Sequence, residues 1–245
     1  MAFLANDPKI LGLAFLGGII PSLLWLWFWL KEDEENPEPK GLLALVFVMG
    51  MLAVVVVLPV QKFIQAHIGS SEGQLVLWAG AEEILKYLAV LIILFKTNHA
   101  NEPIDWPIYL ITAALGFAAL ENSLFLIKPL SVSGATVGLL TGQLRFLGST
   151  LLHTVSSGTI GITIGISFYM DEFRRKWFLF VGFLVAIALH SAFNFFIIRN
   201  EGNDFLKVFA FLWVVTIIVM LLFEKVRRMS AQSGSAHQSE TLRVE

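Results

Sequence analysis

Cysteine is absent from the chain. That excludes a disulfide framework, a thiolate nucleophile and any Cys-based zinc site. Charge is scarce as well: 15% of residues are Asp, Glu, Lys or Arg against 56% hydrophobic, and the mean hydropathy is +0.75. No soluble core uses so much apolar surface, so the composition points to a polytopic membrane protein. There is no excess of positive charge, since the formal net charge is −2, and a nucleic-acid partner is excluded on that ground. The H-E-x-x-H spacing of zincin helices is missing, and no internal repeat is visible. Whatever chemistry the chain performs must come from Glu, His, Asn, Ser, Lys and Arg.

Seven apolar runs each reach the ~20 residues that a bilayer core requires: 10–30, 41–60, 75–95, 106–127, 146–170, 178–198 and 205–223. They predict an all-α transmembrane bundle of about seven spans over residues 1–229. Residues 129–150, rich in Gly, Ser and Leu, have room for a re-entrant or partial helix. The first run is too long, and flanked by both Asp7 and Lys9, for a cleavable signal peptide. The acidic loop 31–40 reads as a solvated connector, and the polar tail 230–245 as a disordered cytoplasmic extension. Alternating loops put ten basic residues on one side, among them Arg174, Arg175, Lys176, Arg227 and Arg228. Only Lys9, Lys62, Lys128, Arg199 and Lys207 fall on the other. The positive-inside rule then predicts an outer N-terminus and a cytoplasmic C-terminus.

Against this background Glu82 and Glu83 stand out, because an ionised carboxylate in mid-membrane costs roughly 2.5–3.5 kcal/mol on translocon scales. Three other runs carry Glu121 with Asn122, then His153, then His190 with Asn194. At 1.5 Å per helical residue, Glu82, Glu121, His153 and His190 all lie about 9–12 Å from the outer ends of their spans. Asn194 lies about 6 Å from its outer end. Nothing in the span assignment forces this agreement, and it predicts one cavity in the outer half of the membrane. The spacing also places Lys86 four residues after Glu82, in the favourable order for an ion pair. Glu83 then points about 100° away and needs another partner. Gly158, Gly161 and Gly165 give the fifth run a face on which another helix can approach closely.

A carboxylate and imidazoles without a Ser–His or Cys nucleophile suggest activation of water. A Glu is the general base, the histidines orient water or bind an oxyanion, and Asn194 donates to that oxyanion. Glu83, His153 and His190 also make a candidate open three-ligand zinc site. The residues leave the metal-dependent and metal-free versions open. Carboxylates and histidines build proton relays too, so a proton- or ion-coupled transporter is the alternative function. It is less favoured, because the polar groups share one level and no inverted repeat is evident. A haem or quinone module with His153 and His190 as ligands leaves the glutamates unexplained.

Four stretches bear a family likeness. Glu82-Glu83-Ile84-Leu85-Lys86 resembles the EExxK motif of PrsW-type intramembrane proteases, relatives of the prenyl-protein CAAX endopeptidases. FAALENSLF at 117–125 is similar to that family's second motif, Arg145 with His153 to its third, and HSAFN at 190–194 to its fourth. The Pro-Glu-Pro of the first connector is similar to the family's acidic loop. The resemblance implies a helical peptidase of the bacterial plasma membrane. It implies Glu82 and Glu83 as catalytic glutamates, assisted by His153, His190 and Asn194, with Glu121 in the second motif. The implied partner is a membrane-anchored protein substrate such as an anti-sigma factor, cut from outside.

Overall fold

The computed structural model describes the backbone of residues 7–31, 37–95, 97–199 and 205–241, with the side chains at 135, 139, 142–146, 197–199, 205 and 232–241 left aside. Eight helices follow one another among the described residues: α1 Pro8–Lys31, α2 Lys40–His67, α3 Ser71–Leu94, α4 Asp105–Val132, α5 Gly134–Leu147, α6 Ser149–Ile166, α7 Glu172–Arg199 and α8 Phe205–Thr241. Six of the predicted runs each fall on one helix, while the fifth, 146–170, begins in the last residues of α5, breaks at Gly148 and overruns the end of α6; α5 occupies the Gly/Ser/Leu-rich stretch. Gly134, at φ +81°, makes the turn from α4 into α5, a left-handed conformation that suits glycine. Ser70 caps α3, its hydroxyl accepting from the Gly73 N–H at 3.2 Å.

The expected seven spans are not all matched by membrane-crossing composition. Five helices, α1, α2, α4, α7 and α8, are long and apolar enough to cross a bilayer. The other two long helices are set apart by their own polar residues. α3 carries Glu82, Glu83 and Lys86 at its middle, and α6 is broken up by His153 and a series of Ser, Thr and Gly. α8 runs on to Thr241, so its backbone continues into the polar tail. The acidic connector is not merely solvated: Glu38 accepts a hydrogen bond from the hydroxyl of the fully buried Tyr109 on α4.

α4 is the axis of the bundle. Every residue from Pro107 to Ala119 is buried, the pattern of a helix apolar all round. It packs against α1, α2 and α6, while α3 bridges α2 and α7. The α2–α4 contact is backbone on backbone. A Cβ at Gly50 would meet the Ala113 carbonyl oxygen at 2.0 Å, and one at Gly116 would meet the Phe47 carbonyl oxygen at 2.0 Å. Small residues that let helices touch in this way are what drives helix association in lipid. The glycines of α6 serve the same end, Gly161 lying against Pro107 at the start of α4. These contacts fix α3, α4, α6 and α7 around one polar interior.

Candidate active site

The polar interior is built from α3, α4, α6 and α7. Glu82, Glu83, Lys86, His153 and His190 are each at most 4% exposed. The sequence pairs Lys86 with Glu82, but the closer partner is Glu83. Lys86 Nζ lies 2.8 Å from Glu83 Oε1 and 4.0 Å from Glu82 Oε2. Positions i+3 and i+4 share a helix face, and side-chain rotamers decide between them. Glu83 takes two further donors: His190 Nδ1 at 2.9 Å on Oε1 and Ser157 Oγ at 2.6 Å on Oε2. Both of its oxygens are therefore satisfied, as a buried ionised carboxylate requires.

Glu82 is situated differently. Its Oε1 accepts from Gln61 Nε2 of α2 at 2.9 Å. Its Oε2 is the one buried carboxylate oxygen without a hydrogen-bond donor among the described residues. That oxygen faces the two imidazoles, 3.5 Å from His190 Nε2 and 3.9 Å from His153 Nδ1. The rings lie edge to face, with centroids 5.0 Å apart.

Each histidine is held from behind by a second carboxylate. Glu83 accepts from His190 Nδ1, which turns the Nε2 lone pair toward Glu82. His153 Nε2 stands 3.1 Å from Glu121 Oε2. With Nε2 as the donor, the His153 Nδ1 lone pair points inward, where Lys86 Nζ approaches at 2.9 Å. A carboxylate fixing the far nitrogen of an imidazole is the arrangement that orients metal-binding or base-active histidines. Glu82, His153 and His190 each bring one ligand atom within 4.8 Å of the others. The three-donor set thus contains Glu82 where the sequence suggests Glu83. Two nitrogens and one carboxylate oxygen, one of them an orphaned buried acceptor, fit a divalent ion such as zinc once Lys86 Nζ yields the His153 Nδ1 lone pair.

The remaining expected residues divide. Glu121 sits at the edge of the cluster, its side chain 31% exposed, and Ser149 also donates to it. Asn122 is turned aside and ties α4 to α6 by donating to Thr150 Oγ1 at 2.9 Å. Asn194, one turn beyond His190, is half-buried and makes no hydrogen bond to the cluster among the described residues. The Arg145 side chain lies outside the described residues. Two residues that the sequence did not single out complete the cluster. Ser157 was detectable, since it shares a helix face with His153 at i,i+4. Gln61 was not, because hydropathy ends the second span at Val60. The ring of Phe117 covers Lys86, with Nζ 4.5 Å from its centroid, a cation–π contact that helps a charge survive burial.

Comparison with known proteins matches the chain to a family. A family model described as "PrsW family intramembrane metalloprotease" matches residues 38–223. Similar proteins include the Protease PrsW of Clostridioides difficile, 27% identical over 213 residues, 84% of each chain. The Protease PrsW of Bacillus subtilis is 26% identical over 202 residues, covering 80% of this chain and 88% of its own. That of Geobacillus kaustophilus is 25% identical over 187 residues, covering 75% and 79%. No solved structure matches.

Proposed function

The chain belongs to the PrsW family of intramembrane proteases, and we propose that it hydrolyses a peptide bond of a membrane-anchored protein at a centre formed by Glu82, His153 and His190. The observation that carries this is the orphaned Glu82 Oε2 held between two oriented imidazoles. A buried acceptor with no donor costs free energy, and such a cost is explained where a reacting group is to be received. The substrate class we assign is an anti-sigma factor or a similar single-span protein. The site lies in the outer half of the bacterial plasma membrane, with α3 and α6 crossing the bilayer inside the shelter of the other helices.

Glu82, His153 and His190 would hold a divalent ion, which supplies Lewis acidity to the scissile carbonyl when bound. The rest follows from the chain's own groups. In the metal-free version of the site, Glu82 Oε2 instead receives the proton of the attacking water, as a general base within reach of it must. Glu83 and Glu121 keep the imidazoles in one orientation. Lys86, the buried cation, neutralises Glu83 and lies beside the place where negative charge develops. Asn194, one turn farther out, donates to the oxyanion.

The test is cleavage of the outer juxtamembrane segment of candidate membrane substrates by purified protein in lipid. Wild type should cut, and Glu82→Gln should not. A chelator should abolish cleavage and zinc should restore it. Full activity in Glu82→Gln overturns the assignment of the base, and activity unaffected by chelation overturns the ion.

A further inference from the structure

At the opposite end of the bundle from the catalytic cluster's outer rim, a cavity of about 390 Å³ opens between α3, α4, α6 and α7. Its walls include Tyr87, Trp106, Ser167, Glu172, Arg175 and Lys176. We propose that this cavity is a binding site for the phosphodiester headgroup of an anionic phospholipid of the cytoplasmic leaflet.

Three observations converge on that ligand. The first is an unspent donor: Trp106 Nε1 is buried and has no hydrogen-bond partner among the described residues. The second concerns the basic triplet at the start of α7. Arg174 is engaged by Asp171 at 3.0 Å and Lys176 by Glu172 at 2.7 Å. Arg175, the arginine that lines the cavity, makes no ion pair with a carboxylate among the described residues. With Lys176 and Glu172 offsetting each other, the lining carries one net positive charge. That complements the single negative charge of a phosphodiester, whose oxygens accept both a guanidinium and an indole N–H. The third is location. The cavity lies at the end of the bundle that carries the basic loop, where anionic lipids gather and basic pockets between helices take their headgroups. Trp106 and Tyr87 are the aromatic residues expected at that level. Ile164 and Leu179 give the cavity an apolar wall against which acyl chains can lie, and Tyr87 is held beside it by packing edge to face on Phe183, with ring centroids 5.2 Å apart. Ser167 contributes no donor, because its hydroxyl is spent on the Thr163 and Ile164 carbonyls.

A free phosphate shares this chemistry, so the test has to separate the two sources. The full-length protein in detergent is titrated with phosphatidylglycerol, phosphatidylcholine or inorganic phosphate. Thermal stabilisation gives the affinity, and native mass spectrometry counts the lipid retained. Phosphatidylglycerol should bind best and one molecule should stay bound. Arg175→Ala should weaken it about tenfold or more, as for a lost charged hydrogen bond, and Trp106→Phe, which keeps the ring and removes only the N–H, severalfold. Arg174→Ala, whose arginine does not line the cavity, should bind as wild type does. Equal binding of phosphatidylcholine, equal binding by Arg175→Ala, or an equal loss in Arg174→Ala would each overturn the site. Inorganic phosphate binding as tightly as the lipid would overturn the headgroup and leave a soluble anion in its place.

Discussion

Glu83 receives Lys86 and His190 on one oxygen and Ser157 on the other, whereas Glu82 keeps one oxygen without a donor among the described residues. Neutralising the two residues should therefore have different effects. Glu82→Gln keeps an amide oxygen to accept from Gln61 and gives up only the oxygen without a donor, so protein level and melting temperature should stay close to wild type while cleavage disappears. Glu83→Gln leaves the Lys86 ammonium buried opposite an amide. Breaking one side of a buried pair costs roughly 3–5 kcal/mol, so thermal unfolding in detergent should fall steeply. Adding Lys86→Met removes the stranded charge and should restore most of that stability without restoring cleavage. A Glu83→Gln protein as stable as wild type would show that the pair is not what holds these helices together. His153→Ala and His190→Ala should abolish cleavage. Asn194→Ala should weaken it by about 10²–10³-fold, the effect of one lost oxyanion donor. The chain reveals that Glu82, Glu83, Glu121, His153 and His190 meet, because polarity inside an apolar run is visible in one dimension, but not that Asn122 turns aside to Thr150. It does not reveal which carboxylate is satisfied: Lys86 reaches i−3 and i−4 alike, and the choice depends on Ser157 and His190 arriving from other helices.

Elements are set by packing as much as by their apolar runs. Gly50 and Gly116 let α2 and α4 touch main chain to main chain, and each would press a Cβ to 2.0 Å of a carbonyl oxygen. Gly116→Ala and Gly50→Ala should each cost about 1–3 kcal/mol, the range for overpacking a filled core, and unfolding midpoints of the purified variants would show it. Gly12→Ala on α1, where nothing lies within 4 Å, serves as the control and should be neutral. Midpoints unchanged at 50 and 116 would mean that the helices do not approach so closely. The predicted runs fall on helices, the fifth divided between the end of α5 and α6, because ~20 apolar residues have few other structures available in a bilayer. The boundaries were less legible. α7 begins at Glu172 instead of Phe178 because Asp171 accepts from the Arg174 N–H at 3.1 Å, and hydropathy cannot see a cap. α5 was ambiguous in a stretch whose Gly, Ser and Leu residues carry no clear period. The Gly158–Gly165 face was legible because small residues spaced by three and four align on one side of a helix.

The orientation of the whole molecule is a matter of charge. Reporter fusions at Met229 and within residues 171–177 should both report the cytoplasm, as the basic asymmetry of the loops requires. If both report the outside, the outer-leaflet position of the catalytic cluster and the inner-leaflet lipid site are wrong together. Proteoliposomes should show no coupled ion flux, since the proposed reading puts the polar groups at one level and not along a path through both leaflets. The cluster meets solvent at Glu121 alone among its ionisable side chains, 31% exposed there while the others are closed in. On the proposed role of Glu82, that enclosure would leave the resting enzyme latent. A target bond would then reach Glu82 only while helices stand apart, and turnover would count openings as much as chemical events. A target that crosses the bilayer as a helix must also give up its internal hydrogen bonds before any carbonyl can be attacked. Discrimination would then follow how readily a target unwinds at that depth, and only secondarily which residues flank the bond.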